Sequence, residues 1–301
     1  MSAVRSSTPT AAVVTPAPAR STRRGRREMS GRAPWWLFVL LFAGLTVMIG
    51  PFLWMLLGAF KPNRELITTT PTLVPENVTL ENFSNLFTKL DFATYFFNST
   101  LIAVVVTLAN LLFCSMAGYA LAKMHFAGQK PLMGLVLATL MVPSSVTLVP
   151  LFVLMSKLGL VNSYAAVILP FAAGAFGVFL MRQFMIGLPR DLLDQARVDG
   201  AGEWRIFWQI VLPLVKPALA TLGIFQFLAS WNNFLWPLVV LTDESKYTLP
   251  VALATFAIGQ NKADYGLLMA GAVALVAPVI VVFLLLQRHF TQSIAMTGLK
   301  G

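Results

Sequence analysis

Apolar residues form six long runs along this chain, separated by shorter polar segments. Each run is long enough to cross a bilayer as a helix, which takes about 17–25 residues. None of the runs contains Asp, Glu, Lys or Arg. We therefore predict an all-α membrane protein with six transmembrane helices, near residues 35–60, 95–122, 131–156, 164–181, 217–241 and 265–287.

Proline and glycine interrupt several of these runs. Pro143 and Pro150 lie close together in the third run. Proline removes a backbone donor, which a membrane helix tolerates where neighbouring helices or water satisfy the freed carbonyl. The third span is therefore predicted to be kinked or interrupted.

The first 34 residues have a different composition. They hold seven arginines and four prolines and show no apolar periodicity. Such a segment cannot bury enough apolar surface to fold, and the run that follows it is too long for a signal-peptide core. We predict a disordered, basic cytoplasmic tail at 1–34 that contacts anionic lipid, followed by one transmembrane domain at 35–301.

Composition and charge support this membrane assignment. The 301 residues are 57% hydrophobic and only 11% charged, whereas soluble domains have about 25% charged residues. The net charge of +10 does not indicate a nucleic-acid partner, because the basic residues cluster at the ends of the apolar runs. The single cysteine, Cys114, excludes a disulfide framework.

The distribution of basic residues predicts the orientation. If both termini face the cytoplasm, 16 of the 22 Lys and Arg residues lie in inner segments. Cytoplasmic loops of membrane proteins carry such an excess. We therefore expect both termini to be cytoplasmic, and this orientation also places the segment 182–216 on the inner side.

That inner segment has the pattern of a helix, a turn and a second helix at 188–213. Residues 188–191, Leu-Pro-Arg-Asp, are typical of a helix start. Gly200 suits a left-handed turn position, and apolar residues then recur at helical spacing until Pro213. From periodicity alone, this is an amphipathic loop that packs on its own bundle.

The order of residues within the loop resembles the Glu-Ala-Ala coupling loop of ATP-binding-cassette (ABC) importer permeases, where the membrane subunit meets a separate ATPase. Asp194 stands at the Glu position, Gln195 departs from the first Ala, and the end of the segment matches the pattern Ile-x-Leu-Pro. The resemblance implies an ATPase-coupling role for Asp194, Ala196, Asp199, Gly200, Ala201, Glu203, Leu212 and Pro213.

Further segments resemble the carbohydrate branch of these importers, specifically a six-span permease of the maltose-transporter type. They lie at 118–130, 140–152, 156–164, 231–241, 246–250 and 298–301. The resemblance implies the type I importer permease fold in a bacterial inner membrane. It also implies import of a sugar or related polyol, with a second permease, an ATPase dimer and an extracytoplasmic solute-binding protein as partners.

The chain has no Gly-x-x-x-x-Gly-Lys-Ser/Thr loop, the motif that holds nucleotide phosphates. We therefore expect this chain to be no enzyme and to bind no cofactor, and expect ATP and Mg to be bound by the partner ATPase.

The alternative to an ATP-driven importer is an ion- or proton-coupled secondary transporter acting alone. Such carriers usually keep ionisable residues within the membrane, and the six runs have none. His125 and His289 are expected at cytoplasmic span ends rather than in a metal site.

Two further sets of residues are candidates for function. Sugars are bound by amides, hydroxyls and aromatic faces, and the fifth run offers Asn232, Asn233 and Trp236 for the substrate path. The alternative for these amides is hydrogen bonding between helices. By resemblance, the C-terminal residues Gly298, Leu299, Lys300 and Gly301 contact the ATPase.

Overall fold

The computed structural model describes residues 34–68, 70, 72–258 and 264–298, without the side chains of 257, 258 and 286–298. Of the tail predicted at 1–34, only Pro34 is among the described residues, and Leu299, Lys300 and Gly301 are not. The chain divides into two units, Met1–Met48 and Ile49–Gly301.

In the first unit, the described residues from Trp35 onward are helical and largely exposed. Trp35 is 77% exposed and Phe42 is 71% exposed. A helix with large apolar side chains exposed around its circumference requires apolar surroundings. This pattern is the one expected of a segment that faces lipid.

All regular elements among the described residues are helical, which confirms the predicted fold class. The α-helices are α1 Trp35–Ala59, α2 Asn63–Leu66, α3 Glu81–Thr88, α4 Phe92–Lys123, α5 Gln129–Leu140, α6 Ser144–Lys157, α7 Tyr164–Ile168, α8 Ala175–Ile186, α9 Arg190–Val198, α10 Glu203–Ile206, α11 Leu212–Leu214, α12 Lys216–Trp231, α13 Leu235–Val240, α14 Leu249–Ile258 and α15 Tyr265–Gly298. Between them lie 3-10 turns at Leu169–Phe171 and Glu244–Lys246 and a π-helical turn at Phe207–Val211.

The described helices account for the predicted spans. Four stretches are long and apolar enough to cross a membrane: Trp35–Ala59, Phe92–Lys123, Tyr164–Ile186 and Tyr265–Leu285. Two bent helix pairs raise the number to six if each pair is one span: α5 with α6, and Glu203–Leu214 with α12.

The third and fifth spans are both broken. As predicted, the third is interrupted, with α5 and α6 meeting at 105° around Pro143. In the fifth span, predicted near 217–241, α12 ends at Trp231 and α13 begins at Leu235, so the span consists of two helices. Asn232 donates its side-chain amide to the Leu228 carbonyl, which competes with helix continuation, and Pro237 has no N–H to continue the ladder.

Helix α4 is the centre of the bundle and packs against α8 and α12. Small residues allow α4 and α8 to approach closely, as in other membrane helix pairs. A Cβ atom placed on Gly118 would lie 2.8 Å from the Met181 Cβ, and one on Gly177 would lie 2.7 Å from the Cys114 Sγ. The two helices therefore have no room for side chains at these positions.

Buried asparagines of α4 join it to segments far away in sequence. Near the N-terminal end of α4, Asn98 Nδ2 donates to the carbonyls of Ser245 and Tyr247, and its Oδ1 accepts from the Tyr164 hydroxyl. Deeper in the bundle, Asn110 donates to the Phe171 carbonyl. These amides hold the fold together, which is the interhelical role left open for such residues.

Candidate functional site

The predicted helix-turn-helix at 188–213 is present, and a Schellman turn closes its first helix. Helix α9 ends at Val198 and Gly200 has a φ of +81°. The Ala201 N–H donates to the Ala196 carbonyl, and the Gly200 N–H donates to the Arg197 carbonyl. This pair of bonds satisfies the last carbonyls of a helix and requires a left-handed residue at the Gly200 position.

The inner face of this loop packs into the transmembrane bundle. Leu193, Ile206, Phe207 and Val211 are buried and share one apolar cluster with residues of α4 and α8. The amphipathic interpretation of the sequence is correct for this face. Leu212 contacts the same cluster from its edge, and Pro213 is exposed just before the bend into α12.

A chain of hydrogen bonds links the loop to α4. The Tyr119 hydroxyl donates to Glu203 Oε2. Arg197 donates from Nε to Glu203 Oε1 at 2.8 Å and from a terminal nitrogen to Asp194 Oδ1 at 2.6 Å. The hydrogen bond from Arg197 holds the pKa of the Glu203 carboxyl below its ordinary value, so the network is charged at neutral pH.

Lys123 makes a second link between α4 and the loop. Its ammonium donates to the carbonyls of Ile186 at 3.2 Å and Leu188 at 2.6 Å, immediately before α9 begins. The side chain is buried. Thus the last turns of α4 hold both the start of the loop and the start of its second helix.

The outer face of α9 is open and acidic. Asp191, Asp194 and Asp199 line a shallow surface depression together with Gln195 and Val198. Val198 is 87% exposed, although it is aliphatic. This face combines acidic side chains with an exposed apolar side chain.

The predicted coupling residues are therefore brought together over the short distance of one helical hairpin, except for Leu212 and Pro213 at its far end. Sequence analysis missed Tyr119 and Arg197. Tyr119 lies in an apolar run, where an aromatic residue is ordinarily part of the core. Its local signal is a polar group near the C-terminal end of α4, one helical turn before Lys123.

Two of the three substrate-path candidates, Asn233 and Trp236, line a cavity, and the third, Asn232, does not. A cavity of about 210 Å³ is lined by Asn233 and Trp236, with Phe171 and three hydroxyl residues of the third span, Ser144, Ser145 and Thr147. Asn233 and Phe171 also line a smaller cavity of about 100 Å³. Asn232 is exposed and its amide is bonded within its own helix.

Further polar side chains line the smaller cavity. Ser99, Gln226, Ser230 and Thr248 contribute to it, and the buried Thr248 hydroxyl has no hydrogen-bond partner among the described residues. Trp236 contributes only its ring to the larger cavity, because its indole N–H donates to the Ala166 carbonyl at 3.0 Å. Among the described residues no group of three His, Cys, Asp or Glu side chains is placed to hold a metal ion.

The comparison with known families decides the identity of this architecture. The model described as "binding-protein-dependent transport system inner membrane component" matches residues 114–296, which include the whole helix-turn-helix. This chain belongs to that family. It is thus an inner-membrane permease component and not an enzyme, and a family that depends on a binding protein argues against a carrier acting alone.

Three sequence relatives of this permease are named as permeases for sugars. It is 43% identical over 270 residues to the arabinooligosaccharides transport system permease protein AraQ of Halalkalibacterium halodurans, covering 88% of this chain and 96% of the relative. It is 35% identical to the diacetylchitobiose uptake system permease protein NgcG of Streptomyces coelicolor, covering 85% of each chain. With the lactose transport system permease protein LacG of Rhizobium radiobacter it shares 34% identity, over 81% of this chain and 89% of the relative.

A solved structure has the same fold. The permease superposes on a chain of a bacterial ABC transporter involved in the import of the acidic polysaccharide alginate with a TM-score of 0.78. The match covers 85% of this chain and 95% of that chain at 24% sequence identity. The predicted type I ABC importer permease fold is confirmed.

Proposed function

We propose that this permease is one of two membrane subunits of an ATP-driven importer of a neutral oligosaccharide, and that the hairpin at 188–213 is its contact with the ATPase. The observation that carries the proposal is the two-sided hairpin. Its inner face is packed and hydrogen-bonded to α4, while its outer face is exposed and carries Asp191, Asp194 and Asp199, of which Asp194 is paired with Arg197. A rigidly held hairpin that exposes one face suits force transfer between subunits.

The ATPase would dock on the outer face of α9. Asp191, Asp194 and Asp199 provide negative charge there, and Val198 provides an apolar contact. We expect a basic groove on the ATPase, since complementary charge orients such encounters. The ATPase would bind ATP and Mg, and the C-terminal residues Gly298, Leu299, Lys300 and Gly301 form a second proposed contact with it.

Sugar would pass along the face that carries Asn233. Amide and hydroxyl groups from Asn233 and the third-span residues Ser144, Ser145 and Thr147 surround one cavity with the rings of Phe171 and Trp236. This combination of hydrogen-bonding groups and aromatic faces suits a sugar. Interrupted helices commonly line substrate sites in transporters, and the breaks in the third and fifth spans both border this cavity.

The class of sugar follows from the relatives. AraQ, NgcG and LacG are named for oligosaccharides or a disaccharide, and the cavity walls hold no charged side chain. We therefore propose a neutral oligosaccharide rather than a glycerol phosphate. The second permease completes the path, and a solute-binding protein delivers the sugar to the outer side.

The test uses the complex that copurifies with this permease from its native membrane, reconstituted in lipid vesicles. We expect uptake of labelled arabinotriose that requires both ATP on the ATPase side and the solute-binding protein on the other side. Omission of either component should abolish uptake. Uptake by this chain alone, driven by an ion gradient, would instead establish the secondary-carrier alternative.

The same vesicle assay tests whether Asn232 and Asn233 of the fifth span differ in their effect on uptake. Asn233→Ala should raise the half-saturating concentration of loaded binding protein or lower the uptake rate. Asn232→Ala is the matched control, because its amide is already bonded to Leu228 and should have a smaller effect. Equal effects of both substitutions would remove Asn233 from the proposed path.

A further inference from the structure

We infer that helix α4 transmits the movement of the ATPase-coupling hairpin to the outer side of the permease, and that Tyr119 is the positioning residue that joins the hairpin to this helix. The inference rests on the proposed coupling function of residues 188–213. It adds an element and a residue that the resemblance does not supply. Three observations carry it.

The first observation is that α4 is connected to both arms of the hairpin by directional bonds. Tyr119 donates to Glu203, at the start of the second arm, and Lys123 donates to Ile186 and Leu188, just before the first arm. Apolar packing alone is not directional and allows sliding. Hydrogen bonds to a charged group are stronger and depend on geometry, so they hold the hairpin in one register on α4.

The second observation is the position of Tyr119 within the charged network. Its side chain is buried, whereas Asp194 and Arg197 are partly exposed to solvent. Exposed ion pairs contribute little on their own, but Arg197 bridges the exposed carboxylate of Asp194 to Glu203. A force on the outer face of α9 therefore reaches α4 through Arg197, Glu203 and Tyr119.

The third observation is that α4 continues without a break from this contact to the outer side. It comprises 32 residues, which at 1.5 Å per residue is about 48 Å. At its outer end, Asn98 donates to the carbonyls of Ser245 and Tyr247, and the Ser99 hydroxyl accepts from the Leu249 N–H at 2.7 Å. Helix α4 is thus bonded to the hairpin at one end and to the segment 245–249 at the other, and transport requires these two regions to move together.

The segment bonded at the outer end borders the proposed path. Thr248 lies between Tyr247 and Leu249, and it lines the smaller polar cavity together with Ser99. A rigid-body shift of α4 would therefore change the wall of this cavity when the hairpin moves. Such rigid-body movement is a common basis of switching in proteins.

The test is Tyr119→Phe in the reconstituted complex, because it removes one hydroxyl and keeps the ring that packs on Phe207 at 5.6 Å. The measured quantity is the number of arabinotriose molecules imported per ATP hydrolysed, which does not depend on the amount of complex recovered. We expect this ratio to fall by at least about threefold. Tyr265→Phe, at a tyrosine of α15 that is 46% exposed and lies outside the proposed relay, is the matched control and should keep the wild-type ratio.

A double-mutant cycle supplies a second criterion. Tyr119→Phe and Glu203→Gln act on one bond, so the double variant should be little worse than the more affected single variant. A wild-type ratio in Tyr119→Phe, an equal loss in Tyr265→Phe, or fully multiplicative effects in the cycle would each overturn the inference. If the wild-type complex itself shows no ATP-driven uptake, the proposed function fails and the inference fails with it.

Discussion

Gly200 is the residue whose backbone conformation decides the shape of the coupling hairpin. Its φ of +81° is unfavourable for any residue with a Cβ, yet a Cβ placed there would meet no atom within 4 Å. The constraint is therefore conformational and not steric. A substitution acts on the turn itself and leaves the packing of neighbouring side chains intact.

We predict that Gly200→Ala weakens the hairpin by about 1–2 kcal/mol, the cost of a left-handed conformation. The permease should still insert into the membrane, while its association with the ATPase and its transport rate decrease. Gly202→Ala is the matched control, since Gly202 has a φ of −69° and equally open surroundings. Pull-down of the ATPase with each tagged variant measures the effect, and equal retention by both would contradict the role of the turn.

At the scale of elements, the close crossing of α4 and α8 holds the bundle that supports the hairpin. Gly177 faces Asn110 and Cys114 of α4 at distances that leave no space for a side chain. Because packed interiors resist added volume, a substitution here must separate the helices or displace Asn110 from its bond to the Phe171 carbonyl.

Gly177→Val is therefore expected to destabilise the permease by about 1–3 kcal/mol, seen as a lower apparent melting temperature in detergent. Gly134→Val is the comparison, because Gly134 also lies in a helix but has nothing within 4 Å of a Cβ. If both variants melt at the same temperature, the α4–α8 crossing accommodates the added side chain, and the predicted destabilisation is wrong.

The breaks in the third and fifth spans show how local and tertiary information differ at this scale. Pro143 made the first break predictable, since proline ends a hydrogen-bond ladder. The second break was not predicted, because Asn232 and Asn233 are compatible with a helix by periodicity. The side-chain bond from Asn232 to Leu228 becomes visible only in three dimensions.

At the scale of the whole molecule, the distribution of basic residues predicts cytoplasmic termini, and this orientation is a testable property. The single cysteine is buried, so a Cys114→Ser background permits site-specific labelling. We expect a membrane-impermeant maleimide to label Ser84→Cys in intact cells and to label Ala127→Cys, in the loop before α5, only after the membrane is opened. Both positions are exposed in the structure, and the reverse pattern would invert the proposed topology.

The sequence by itself determined the class of fold, the approximate spans and the position of the helix-turn-helix at 188–213 that we propose contacts the ATPase. These properties depend on local signals, namely the length of apolar runs, charge bias at their ends, and an ordered motif around Asp199 and Gly200. The left-handed turn predicted at Gly200 belongs to this group, because only residues 196–201 take part in its hydrogen bonds.

Only the tertiary structure decided which polar residues act together. Tyr119 meets Glu203 across 84 positions in the chain, and Asn98 meets Ser245 across 147. Neither contact leaves a periodic signal, because it depends on how helices pack and not on spacing within one helix. For the same physical reason, the sequence does not distinguish the neighbours Asn232 and Asn233. In the structure the break in the fifth span places Asn233 at a cavity, whereas the Asn232 side chain bonds to its own helix.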